Sequence, residues 1–151
     1  MSTRIRTIVG VALAALVAGA CSPSQSTPAS SSGPMSTAAT ETRMVTDASG
    51  QEVALPLEPT RVVTLSEPTT DNALALGITP VGAVSGRGQS GVAAYLADRA
   101  GDVPILGSVG TPNLEAVGAA HPDLILVDGT SVKSDDTDTL NALKQIAPVF
   151  Y

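Results

Sequence analysis

Gly86, Gly88 and Gly91 have the G-x-G-x-x-G spacing within Gly86-Arg87-Gly88-Gln89-Ser90-Gly91. The apolar run 81–84 precedes them, and a helix is expected over 92–99. Strand, glycine loop and helix is the order in which a βαβ unit cradles a dinucleotide. Glycines let backbone N–H groups approach the pyrophosphate, and the helix N-terminus faces its charge. That chemistry also needs an acidic residue at the end of the next strand, about 20 residues on, to hold the ribose. Here the next strand runs into Leu106-Gly107-Ser108 without a carboxylate, and Asp102 comes before it. With 14 glycines in the chain, a short gapped pattern arises easily by chance. GRGQSG is therefore read as a flexible loop, and no cofactor is expected. Nucleophilic catalysis finds equally little support. His121 is the single histidine, set before Pro122 at a helix end where solvent should reach it. Alone it builds neither a metal site nor a nucleophile–base pair. No catalytic residue and no metal ligand follow, and an exported α/β enzyme lobe is left as an alternative.

The segments that must carry any site alternate in type. Residues 43–46 and 51–55 are β-prone and flank the turn Asp47-Ala48-Ser49-Gly50, a lead-in hairpin. Strands are then expected over 61–66, 81–84, 104–106 and 124–127, and a last one begins at 148. Helices are expected over 71–76, 92–99, 113–119 and 137–146. Tyr95 would pack from the second of these onto the sheet. Asp135, Asp136 and Asp138 crowd the start of the last helix and Lys144 lies near its end, both signs suiting the helix dipole. Short apolar strands alternating with helices imply parallel βαβ units. The fold class is α/β, a Rossmann-like single lobe preceded by a short β-hairpin.

The N-terminus is patterned differently. Arg4 and Arg6 precede an apolar stretch over 8–18, too short for a mature membrane span of roughly 20 residues. Basic, apolar and small-residue regions in that order form a secretory signal over 1–20. Leu16-Val17-Ala18-Gly19-Ala20-Cys21 resembles a bacterial lipobox, with Ala18 where leucine is usual; an ordinary A-x-A cut beside a bystander Cys21 is the alternative. Cys21 is the only cysteine, so an exported chain has no disulfide to form, and acylation would remove a reactive thiol. Residues 21–42 are rich in Ser, Thr, Pro and Ala and read as a tether, leaving 43–151 as the folded lobe. Removing Arg4 and Arg6 from the eight basic residues leaves six against fourteen acidic, a net charge of −8. Nucleic acid, which needs a basic footprint, is excluded as a partner.

RVVTLSEPTTDNALALGITPVGA followed by VPILGSVGTPNLEAVGAAHPDLILV resembles the N-terminal lobe of the iron-siderophore and cobalamin family of ABC-transporter substrate-binding proteins. Leu65-Ser66, Gly107, Pro112-Asn113-Leu114-Glu115 and Pro122-Asp123-Leu124-Ile125 match the family pattern. Glu67 intrudes before Pro68, and Asp71 stands where glutamate is usual. The resemblance covers roughly 43–151 and implies a binding protein rather than an enzyme. Its ligand would be a ferric siderophore, with cobalamin or haem as alternatives. Its partners would be an ABC permease and, through acylated Cys21, the bilayer at the outer face of the bacterial cell membrane. The family holds ligand between two lobes joined by a long helix. Linking helix and second lobe are expected to be absent here, as in a truncated or incomplete member.

Open α/β sheets bind ligands beyond the carboxyl ends of their strands. That edge should carry Ser66, Glu67, Arg87, Val109, Gly110, Thr111 and Gly129 as ligand-binding residues. Arg87 is the basic residue among them and suits an anionic ferric chelate. The resemblance gives Glu115 a different task, docking to arginines of the permease. The residue-level alternative is a first-turn glutamate complementing its helix dipole.

Overall fold

The structure, a computed structural model, describes residues 41–151. Asp47 Oδ1 accepts hydrogen bonds from the backbone N–H of Ser49 (2.9 Å) and Gln51 (3.0 Å) and from the Ser49 hydroxyl (2.6 Å). Burial alone would raise the Asp47 pKa, but the Ser49 and Gln51 bonds outweigh it and hold the carboxyl below its ordinary range. This Asx turn reverses the chain between β1 (Thr42–Thr46) and β2 (Glu52–Pro56), which pair antiparallel.

A second sheet follows. Its strands are β3 (Val62–Thr64), β4 (Gly82–Ser85), β5 (Ile105–Ser108), β6 (Thr111–Pro112), β7 (Leu124–Leu126) and β8 (Val149–Phe150). The helices are α1 (Glu67–Ala75), α2 (Ala97–Ala100), α3 (Leu114–Ala119) and α4 (Thr137–Lys144). The strand order is β6-β5-β4-β3-β7-β8, parallel throughout except for β6. The chain lays β4 and β5 to one side of β3, then returns to lay β7 and β8 on the other. The order therefore reverses between β3 and β7, the switch point where open sheets leave a crevice.

Side-chain alternation divides the packing. Val63, Leu65, Ile125, Val127 and Val149 enter a core with Val117 of α3 and Leu143 of α4. Val62 and Leu124 pack instead with Leu55 of β2. Both faces of the central strands are thus buried, which is why they read as continuous apolar runs.

Three local expectations are corrected. Helix α1 begins at Glu67, not at 71, because Ser66 caps it: Ser66 Oγ accepts from Thr69 N–H and Thr69 Oγ1 accepts from Ser66 N–H, both at 3.1 Å. Residues 92–99 do not form one helix; a 3-10 turn, Ala94–Leu96, leads into the single turn of α2. Tyr95 does not pack on the sheet and is 65% exposed. Residues 111–112, which fall between the expected strand 104–106 and helix 113–119, form the short strand β6. The acidic start of the last helix is as expected, with Asp136 Oδ1 capping Thr139 N–H at 3.2 Å and Lys144 in the last turn.

Candidate functional site

Strands β3, β4, β5 and β7 each deliver a short polar segment to the carboxyl end of the sheet. Beyond β7, Asp128 Oδ1 accepts from the Thr130 N–H (2.9 Å), the Thr130 hydroxyl (2.6 Å) and the Ser131 N–H (3.2 Å). Its other oxygen, Oδ2, accepts from the Ser66 hydroxyl across the switch point at 2.8 Å. Burial alone would raise the Asp128 pKa, but these bonds, led by the Thr130 and Ser66 hydroxyls, hold it below the ordinary carboxylate range. Asp128 thus ties the end of β7 to the cap of α1.

Glu67 follows Ser66 as the first residue of α1. Its Oε1 accepts from the Arg87 N–H at 3.3 Å and lies so close to Gly86 that a Cβ there would approach it to 2.7 Å. The loop after β4 closes on itself, Gly86 N–H donating to Gly91 O (2.9 Å) and Gln89 N–H to Gly86 O (3.0 Å). Gly88 occupies the left-handed region at φ 70. No helix starts directly behind these glycines, so the loop lacks the phosphate-facing helix end of a dinucleotide cradle. It instead turns Arg87 outward, exposed and, among the described residues, without a salt-bridge partner.

Beyond β5, Val109 and Gly110 form the tip of a tight hairpin, and Val109 N–H reaches Ser85 O at 3.4 Å. The Ser108 and Thr111 hydroxyls meet at 3.0 Å. Gly129 lies under the Tyr151 hydroxyl, which donates to Val132 O at 3.1 Å. A continuous row results, from Gly129 and Asp128 through Ser66 and Glu67 to Gly86-Arg87, with the Val109-Gly110 tip beside Ser85. An open groove of about 460 Å³, walled by Leu55, Leu76, Leu124, Leu126 and Phe150, runs up to Asp128 at one end of this row.

One expected residue changes role. Ser66 is fully buried with its hydroxyl engaged by Thr69 and Asp128, so it supports the edge rather than facing a ligand. Thr111, the first residue of β6, stays exposed at the hairpin tip with its hydroxyl against that of Ser108. Asp128, which topology already places on this edge, is its structural centre, a role the sequence reading did not give it. Its signal was present in Asp128-Gly129-Thr130-Ser131, an aspartate followed by hydroxyl residues at the spacing of an Asx turn. Glu115 is exposed in the first turn of α3, behind the Asn113 cap (Asn113 Oδ1 to Ala116 N–H, 3.1 Å). Because α3 starts directly after β6, Glu115 lies toward the same end of the sheet. Cys21 is outside the described residues.

No family profile matches the chain. Among curated proteins, the probable siderophore-binding lipoprotein YfiY of Bacillus subtilis is 37% identical over 140 residues, 92% of this chain and 40% of that protein. The achromobactin-binding periplasmic protein of Dickeya dadantii is 37% identical over 91 residues, 60% of this chain and 28% of that protein. Staphylococcus aureus SirA, crystallised with staphyloferrin B, superposes with a TM-score of 0.63 at 32% identity, over 72% of this chain and 35% of SirA. The chain is homologous to part of the siderophore-binding proteins of ABC importers. It spans about 40% of the siderophore-binding lipoprotein it matches over most of its own length. The described residues have the architecture of one lobe of these siderophore-binding proteins: a mostly parallel six-stranded sheet with a hairpin beside it.

Proposed function

We propose that this protein is an exported substrate-binding component of an ABC importer, anchored through acylated Cys21, that captures a ferric siderophore for a membrane permease. The observation that carries the reading is the polar row at the switch point, in a chain homologous to siderophore-binding proteins. Arg87 is its outward cation, with Glu67, Val109, Gly110 and Gly129 around it. An anionic chelate meets the guanidinium there, and Glu115, toward the same end but outside the row, is available to the permease.

Calorimetric titration of the full chain with ferric siderophores tests this, beside Arg87→Ala. The variant should weaken binding by about 1–3 kcal/mol, the scale of a hydrogen bond to a charged group. Equal affinity of variant and wild type would remove Arg87 from the site. Absence of saturable binding across the siderophore classes would overturn the function. The anchor is tested separately: Cys21→Ser should move the protein from the membrane fraction to the medium, since two acyl chains suffice for stable attachment.

A further inference from the structure

Two carboxylates stand at the switch-point edge, and they are placed differently. Asp128 has both oxygens engaged within the fold, by Thr130, Ser131 and Ser66. Glu67 has one long bond, Oε1 to the Arg87 N–H at 3.3 Å, and among the described residues its Oε2 has no hydrogen-bond partner. No buried side-chain oxygen of the described residues is left unpartnered, so Oε2 is open to water. Gly86, where a Cβ would lie 2.7 Å from Oε1, leaves room for the carboxylate beside the loop that turns Arg87 outward, and the Arg87 N–H keeps it there. The edge therefore presents a fixed anion next to its cation.

Resting on the siderophore-binding reading above, we propose that Glu67 sets the charge selectivity of this edge. It disfavours ferric chelates whose rim carries only carboxylates, and favours those that bring an ammonium group to Oε2. A like charge within several ångströms at a partly desolvated edge weakens binding, and an opposite one strengthens it, by amounts that fall as salt is added.

The test compares ferric citrate with ferrioxamine B, a ferric chelate bearing one ammonium group, on the full chain and on Glu67→Gln. Glutamine keeps an oxygen to accept from Arg87 N–H, so the loop stays in place while the charge is lost; a thermal melt monitored by circular dichroism checks that the fold is unchanged. The variant should bind ferric citrate about fivefold to tenfold more tightly and ferrioxamine B more weakly, with both changes shrinking at high salt. If both chelates bind and their affinity ratio is the same in the two proteins at low salt, the selectivity role is overturned while the binding function stands. If the wild type binds neither, the selectivity role is overturned, and the titration across the siderophore classes decides the binding function.

Discussion

The two ends of β7 are built from the same part and used for different ends. Asp123, before the strand, reaches across to the start of β3: Oδ2 accepts from the Thr60 N–H (2.8 Å) and hydroxyl (3.0 Å), and Oδ1 from the Arg61 N–H (3.0 Å). Asp128, after the strand, reaches across to Ser66 beyond the other end of β3. At the amino end the neighbouring groups are also engaged inward. Arg61 donates from Nε to His121 O at 2.8 Å and from its guanidinium to Ala120 O, closing the carboxyl end of α3. At the carboxyl end the neighbours turn outward, Arg87 on a glycine loop and Glu67 with an open oxygen. One aspartate pair thus registers β7 against β3 at both ends, and at the carboxyl end it lies beside the outward Arg87 and the open oxygen of Glu67. The carboxyl end is the edge at which open parallel sheets generally hold their ligands.

The strand between the two clamps gives the largest expected effect. Ile125 is fully buried midway along β7, and Ile125→Ala should destabilise the fold by about 3 kcal/mol through the lost transfer energy and the cavity left behind. Denaturant melts should show it, with chelate binding lost in parallel because both ends depend on β7. Asp123→Ala separates the ends. It should lower stability by about 1 kcal/mol, since water can replace the lost acceptor at the exposed Thr60 and Arg61 N–H groups, while affinity measured on the folded protein stays as in wild type. Weakened affinity in that variant would show that the amino end also shapes the site.

Acid sharpens the contrast. The Asp128 pKa is lower folded than its ordinary value of 3.8, so its contribution to stability is fully present above about pH 4 and is lost as pH falls through the folded value. Asp47 titrates in the same direction, so the informative quantity is the difference between wild type and Asp128→Asn. That difference, about 1 kcal/mol at neutral pH, should narrow as pH falls below about 4 in urea titrations; a gap that does not change with pH would show that the carboxylate charge is not its source. Glu115→Ala gives the smallest effect on the molecule itself, within about 0.5 kcal/mol in stability and none in chelate affinity. Its readout is reduced uptake by whole cells.

The alternating strands and helices were legible because the parallel strands are buried on both faces and the last helix carries charged ends. Other features escaped for physical reasons. Ser66 sits in a capping box completed by Thr69, not by Glu or Gln, so the start of α1 was placed too late. Residues 92–99 carry helix-forming alanines, yet the extended backbone at Ala93 (φ −51, ψ 136) delays the helix, and Tyr95 consequently faces solvent. The edge residues were found by topology, since a loop after a parallel strand lies at the carboxyl end whatever its sequence. The direction of each side chain was not available that way. Ser66 turned inward and Arg87 outward because one caps a helix and the other rides a left-handed glycine turn, and these distinctions belong to hydrogen bonds a sequence does not display.

The short reversal at β6 carries a consequence for solubility. Gly107, at φ 125, lets the chain fold back so closely that a Cβ would come within 2.7 Å of Thr111 O and Asn113 N. The strand it admits is two residues long and ends in Pro112, which has no N–H to offer a neighbour. A parallel sheet that stopped at β5 would expose a longer template for strand addition by other copies of the chain. With β6 in place, that flank is blunted against edge-to-edge polymerisation, and the same two residues that turn the chain into α3 act as a stop for sheet growth.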